Sequence, residues 1–130
     1  MTEQIHILLV DDEADYVEPM AFWLRSKGYH LSVARSGESA IKIVKETNPH
    51  LIFLDIKMPG MDGIETLKRI REFNQKVPVI MLTAYADKER FYQAQELKIS
   101  GFFAKDGEFN ELRHIIEFTI KTHKKLLESS

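Results

Sequence analysis

Three short, almost unbroken apolar runs limit what this chain can become: IHILLV (5–10), LIFL (51–54) and VPVIML (77–82). A strand with one face in water alternates polar and apolar side chains, so runs of this kind mark strands covered on both faces, as in the interior of a parallel sheet. Two weaker segments join them. YHLSVA (29–34) alternates, with Tyr29, Leu31 and Val33 on one side and His30 and Ser32 on the other, while SGFFA (100–104) is brief. Both read as sheet edges.

Helical patterns fill the gaps. In SGESAIKIVKETNP, Ala40, Ile41 and Val44 share a face, Ser36 is a candidate N-cap and Asn48-Pro49 is the stop. DGIETLKRIREF aligns Ile64, Leu67 and Ile70, and its Asp62 and Glu65 have capping-box spacing. DKERFYQAQELK is weakly amphipathic through Phe91, Ala94 and Leu97. From about Glu108 onward, Leu112, Ile115, Ile116, Thr119, Ile120 and Leu127 fall along one side of a last helix. The first, ADYVEPMAFWLRSKG, contains Pro19; proline suits only a first turn, so this helix either begins near Tyr16 or kinks at Pro19. Of the adjacent Phe22 and Trp23, one is expected to pack and the other to lie near the surface.

Five strands alternating with five helices predict an α/β fold: a doubly wound, five-stranded parallel sheet with helices on both faces and right-handed crossovers. With strands two and five at the edges, the order is 2-1-3-4-5, flavodoxin-like, and ligands bind beyond the carboxyl ends of strands one and three. No repeat, low-complexity segment or linker divides the chain, so residues 1–130 read as one domain.

The carboxyl rim of that sheet is chemically unusual. LLVDDEAD (8–15) runs from apolar strand directly into acids, although adjacent like charges repel. Parallel strands carry Asp11 and Asp12, Asp55, Thr83 and Lys105 to this same rim from strands one, three, four and five. Three carboxylates in one crevice repel by several kcal/mol, so protonation, a lysine or a divalent cation must relieve them. An oxygen-only cluster suits a hard ion, and Mg²⁺ suits a site that keeps positions open for water and a phosphoryl group. Asp55, the central carboxylate, can attack phosphorus to form an aspartyl phosphate. Asp11 and Asp12 would hold the metal, Lys105 would add positive charge from the opposite side, and the Thr83 hydroxyl would donate to a phosphoryl oxygen. No general base for rapid turnover accompanies them, which favours a transient covalent phosphate.

Composition removes other classes. The net charge of −2 provides no evident basic face for a phosphate backbone, which argues against direct nucleic-acid binding. No apolar run reaches the ~18 residues needed to span a bilayer, and MTEQIHILLVDDE lacks the marks of a secretion signal, so a cytoplasmic protein without membrane attachment is expected. The absence of cysteine excludes disulfides, thiolate nucleophiles and zinc-thiolate sites. The five histidines, at 6, 30, 50, 114 and 123, show no metal-ligand spacing and read as surface or structural.

VDDE (10–13), LDIKMPGMDG (54–63), LTAYA (82–86) and GFFAK (101–105) together resemble, in order, spacing and strand context, the receiver domains of two-component response regulators. The likeness covers essentially the whole chain. It implies that Asp55 is the phosphoacceptor, that Asp11, Asp12, Asp55 and the backbone carbonyl of Lys57 bind Mg²⁺, and that Thr83 and Lys105 are the switch hydroxyl and phosphate-binding lysine. Phe102 falls at the switch-aromatic position, where a tyrosine is frequent; Lys57 and Tyr85 fall where phosphate lifetime is tuned. The partners implied are a sensor histidine kinase or histidine phosphotransfer protein, a downstream target or output domain reached through the helix 4, strand 5 and helix 5 face, and a phosphorylation-dependent homodimer. One departure stands out. The family usually follows its lysine with proline in a cis peptide, and here Asp106 and Gly107 follow Lys105, so a trans 105–106 bond is expected, since cis before a non-proline residue costs ~2.5–4 kcal/mol.

Three rivals remain. An aspartyl-nucleophile phosphatase or phosphotransferase usually has an acid two residues after the nucleophile, where Lys57 stands. A dinucleotide-binding module would need glycines in the first turn, where DDEAD would repel a pyrophosphate. A degenerate receiver, binding partners without phosphorylation, is favoured only by the altered Lys105-Asp106-Gly107 segment.

Overall fold

The computed structural model describes residues 4–84 and 88–128, the side chains at 88, 89 and 126–128 excepted. The three apolar runs form strands β1 (His6–Val10), β3 (Leu51–Asp55) and β4 (Val79–Thr83). The weaker segments form β2 (His30–Ala34) and β5 (Gly101–Ala104), and the five pair in parallel in the order β2-β1-β3-β4-β5. Helices α1 (Ala14–Ser26), α2 (Gly37–Thr47), α3 (Gly63–Phe73), α4 (Lys88–Glu96) and α5 (Leu112–Glu128) alternate with them, α5 following a single 3₁₀ turn, Phe109–Glu111.

The sheet splits the core into two layers, as period-2 alternation requires. Leu8, Val10, Ile52, Leu54, Val79 and Met81 join Ala40, Val44, Leu67, Ile70 and Ala94 on the side of α2, α3 and α4. Ile7, Leu9, Leu51, Phe53, Ile80 and Leu82 join Val17, Met20, Leu24, Leu112 and Ile116 on the side of α1 and α5. Full burial of each large side chain contributes about 1.5–3 kcal/mol, which favours near-continuous apolar runs in the three central strands.

The helix boundaries follow local chemistry. The Ser36 hydroxyl accepts from the Ser39 amide, and Asn48 ends α2 in a left-handed conformation (φ 48°). The Asp62 carboxylate accepts from the Glu65 amide at 2.9 Å, one half of the capping box, while the Glu65 carboxylate itself turns to Arg69. Of the two alternatives for α1, the start near Tyr16 is excluded: the helix begins at Ala14, where the Glu13 carbonyl accepts from the amides of Tyr16 and Val17. Pro19 therefore sits inside the helix, on its exposed side, where water can take up the carbonyl that proline cannot serve. Trp23 packs near Phe109 and Phe22 is exposed. The side chain of Leu127 lies outside the described residues.

Candidate functional site

Strand register assembles the rim. Asp55 pairs with Leu82, Thr83 pairs with Ala104, and the Lys105 amide donates to the Thr83 carbonyl at 2.9 Å, so β3, β4 and β5 end side by side. From β1, the Asp11 amide donates to the Ala34 carbonyl, which carries strand pairing one residue further and fixes where Asp11 points. The result is that carboxylate oxygens of Asp11, Asp12 and Asp55 lie within 4.8 Å of one another. Asp11 is fully buried, Asp55 nearly so and Asp12 half-buried.

The loop after β3 must pass close to this cluster. The Gly63 amide donates to the Ile56 carbonyl at 2.8 Å, and a Cβ at Gly63 would collide with the Asp55 carbonyl oxygen. Only glycine lets the start of α3 approach this strand end.

Lys105 reaches across the cluster. Its ammonium lies 2.8 Å from Asp11 Oδ2, 3.2 Å from Asp55 Oδ2 and 2.6 Å from Glu13 Oε1. The remaining oxygens find backbone amides: Asp11 Oδ1 accepts from Glu13 at 3.0 Å, and Asp55 Oδ1 receives a longer contact from Lys57 at 3.4 Å. Of the ammonium's three contacts, the one to Glu13 has hydrogen-bond geometry; Asp11 Oδ2 and Asp55 Oδ2 receive its charge but no aligned hydrogen bond.

Titration behaviour follows from this crowding. Burial first, and then the neighbouring Asp11, push the Asp55 carboxyl up to about 7 against the pull of Lys105. For Lys105, burial disfavours the charge, but its contacts with Asp11, Glu13 and Asp55 outweigh it and hold the ammonium above the usual lysine range. Burial likewise raises the Tyr16 phenol. Two buried, unsatisfied carboxylate oxygens beside a third acid make a site short of positive charge, and its all-oxygen donor set fits a hard divalent cation such as Mg²⁺.

The other expected residues have definite places. Thr83 is half-buried at the end of β4. Lys57 is exposed, its amide turned to Asp55. Phe102 is half-buried and stacks on Phe91 of α4, with ring centroids 4.4 Å apart. Tyr85 lies outside the described residues. No peptide bond among the described residues is cis, so Lys105–Asp106 is trans as expected. Two contributors were not foreseen. Glu13 was legible as the last acid of VDDE, but its pairing with Lys105 joins residues 92 apart. Tyr16, whose ring lies 5.1 Å from the ammonium, gave no signal in sequence.

Comparison with known proteins agrees with this geometry. The family model "Response regulator receiver domain" matches residues 7–117. Sporulation initiation phosphotransferase F of Bacillus subtilis is 35% identical over 111 residues, 85% of this chain and 90% of that protein. The transcriptional regulatory protein ZraR of Klebsiella oxytoca is 35% identical over 127 residues, 98% of this chain but only 28% of that longer protein. Among solved structures, a CheY-like receiver domain protein from Methanospirillum hungatei superposes with a TM-score of 0.90 over 95% of this chain and 98% of its own, at 23% identity, which supports the fold alone. The chain belongs to the response regulator receiver domain family of two-component systems.

Proposed function

We propose that this chain accepts a phosphoryl group on Asp55, in a Mg²⁺-dependent reaction, from a histidine kinase or histidine phosphotransfer protein. The observation that carries this reading is the meeting of Asp11, Asp12 and Asp55 within 4.8 Å at the strand ends, with Lys105 between them. In the reaction, a carboxylate oxygen of Asp55 attacks phosphorus of a phosphoimidazole; the P–O bond forms as the P–N bond breaks, and the imidazole leaves with the electron pair. Asp11, Asp12, Asp55 and the Lys57 carbonyl would hold Mg²⁺, which when bound offsets the charge of the phosphoryl oxygens. Lys105, already within 3.2 Å of Asp55, is positioned to pair with a phosphoryl oxygen once Asp55 loses its own charge to the acyl phosphate. The Thr83 hydroxyl then donates to a second oxygen, drawing the end of β4 toward the site. Phe102 is the aromatic that responds, and its stacking on Phe91 ties any movement to α4. The surface of α4, β5 and α5 reports the change to a downstream target or a second copy. Tyr85 and Lys57 tune the lifetime of the phosphate.

The phosphotransferase among the relatives is of similar length, whereas ZraR extends well beyond the matched region. We infer one domain over residues 1–130, acting in the cytoplasm; among the described residues, no helix is long and apolar enough to cross a membrane. Incubation with Mg²⁺ and acetyl phosphate, followed by intact-mass measurement, is expected to add one phosphoryl group to the parent and none to Asp55→Asn. A parent of unchanged mass would overturn the reading in favour of a degenerate receiver.

A further inference from the structure

At the opposite end of the sheet from the acids, the loops entering β4 and β5 and the outer half of α5 enclose a cavity of about 450 Å³. Val77, Pro78, Ile99 and Phe118 give it apolar walls, and Lys76, Lys98 and His123 stand around them. Among the described residues no carboxylate lines it, although acids outnumber bases in the chain, 20 to 18. Among the described residues, neither Lys76 nor Lys98 is paired with an acid.

Beneath the cavity lies a second source of positive charge. The Arg71 guanidinium is buried, and it is satisfied by four backbone carbonyls, those of Asn74, Val77, Leu97 and Lys98, at 2.8–3.1 Å. Carbonyl dipoles satisfy its donors without cancelling its charge, so a full positive charge remains below the two loops that form the cavity floor. The field is felt nearby: burial and then the cations Lys76 and Arg71 hold the His123 imidazole below its usual range.

Lys98 adds an independent observation. It follows the end of α4 at φ 61°, a left-handed conformation that suits glycine and strains a side-chain-bearing residue. The cheaper residue is absent, and a lysine lines the cavity in its place.

We propose that this cavity binds a small organic anion, a carboxylate carried on a compact apolar body, with Lys76 and Lys98 meeting the charge and Val77, Ile99 and Phe118 the body. The volume lies within the range of small-molecule sites. Neither the location nor the chemistry depends on phosphorylation of Asp55.

The test is a titration of ¹⁵N-labelled protein with phenylacetate, with its neutral counterpart phenylacetamide, and with acetate, which has the charge without the body. Phenylacetate is expected to shift the amides of Lys98, Ile99, Ser100 and Thr122 saturably, and to bind at least roughly threefold tighter than either control. Lys98→Gly, which the backbone at φ 61° accommodates, and Lys76→Ala are each expected to weaken phenylacetate roughly threefold while leaving phenylacetamide unchanged. Equal binding of phenylacetate and phenylacetamide, shifts centred elsewhere, or a Lys98→Gly protein that titrates like the parent would overturn the site.

Discussion

Asp55→Asn is expected to stabilise the metal-free protein, although it removes a partner of Lys105. At an effective dielectric of about 20, two unit charges 4.8 Å apart repel by about 3.5 kcal/mol, and that separation is the outer bound within the cluster. Asp55 faces two such neighbours. Its attraction to Lys105 at 3.2 Å returns about 5 kcal/mol on the same scale, which leaves a net repulsion of about 2 kcal/mol before the cost of burying the carboxylate is considered. Lys105 keeps Asp11 and Glu13 after the substitution, so its own charge is not orphaned. The pH dependence has a definite sign. The folded pKa of Asp55 is raised from 3.8 to about 7, so its penalty is absent below about pH 4, grows between pH 4 and 7, and is complete above. Urea unfolding in EDTA should therefore show Asp55→Asn more stable than the parent by at least roughly 2 kcal/mol at pH 7.5, with a smaller gap at pH 5. Added MgCl₂ should raise the parent's midpoint more than the variant's. A variant equal to or weaker than the parent in EDTA at pH 7.5 would refute the claim that repulsion dominates this pocket.

Lys105→Met should lower metal-free stability by about 3–5 kcal/mol, because it strands two buried carboxylates, and Mg²⁺ should recover more for this variant than for the parent; equal recovery in urea titrations would count against it. Gly63→Ala should cost about 3 kcal/mol or more, since its methyl collides with the Asp55 carbonyl, and thermal melts with a shift under about 3 °C would contradict that close approach. Arg71→Ala leaves four carbonyls without their donor, and a loss of roughly 3 kcal/mol is expected by urea unfolding. His6 is held below 6.5 by burial and by His30 and His50; its neutral form favours the fold, so its contribution is whole above about pH 6.5 and declines as pH falls. The parent should accordingly lose more stability than His6→Gln between pH 7.5 and 5.5.

The elements most legible in sequence were those decided by local chemistry. Unbroken apolar runs became β1, β3 and β4 because both their faces are covered, and Ser36, Asp62 and Asn48 cap or end helices through groups within four residues. The acids and Lys105 were legible because each stands at a strand end, and parallel order alone brings strand ends together. What escaped depends on side-chain reach across the fold. Arg71 falls within the polar pattern of α3, and nothing local reveals that it turns inward to the carbonyls of Leu97 and Lys98. The histidines are scattered in sequence, yet β1–β2 register sets His6 beside His30 with rings stacked at 4.4 Å, and His50 Nδ1 accepts from the His6 amide. A surface or structural role was expected; their meeting was not. Of the two readings of α1, the later start fails because Pro19 lies on an exposed face, where water can take up the carbonyl that proline leaves without a donor.

The segment after Lys105 shows how a site keeps its aim when a stiffening residue is missing. A proline there would restrict the chain covalently, and Asp106 and Gly107 impose no such restriction. The backbone is instead held by the Lys105 amide on the Thr83 carbonyl and by a turn in which the Gly107 amide donates to the Ala104 carbonyl at 2.8 Å. Gly107 suits that turn because a Cβ would come within 3.0 Å of both the Ala104 carbonyl oxygen and the Phe103 ring. The side chain is then held by charge, between Asp11 and Glu13 and beside the face of Tyr16. Three anchors, two from the loop between β1 and α1 and one from the first turn of α1, do for the ammonium what a rigid peptide would do for the loop. Lys105 thus meets Asp55 at 3.2 Å without a proline after it.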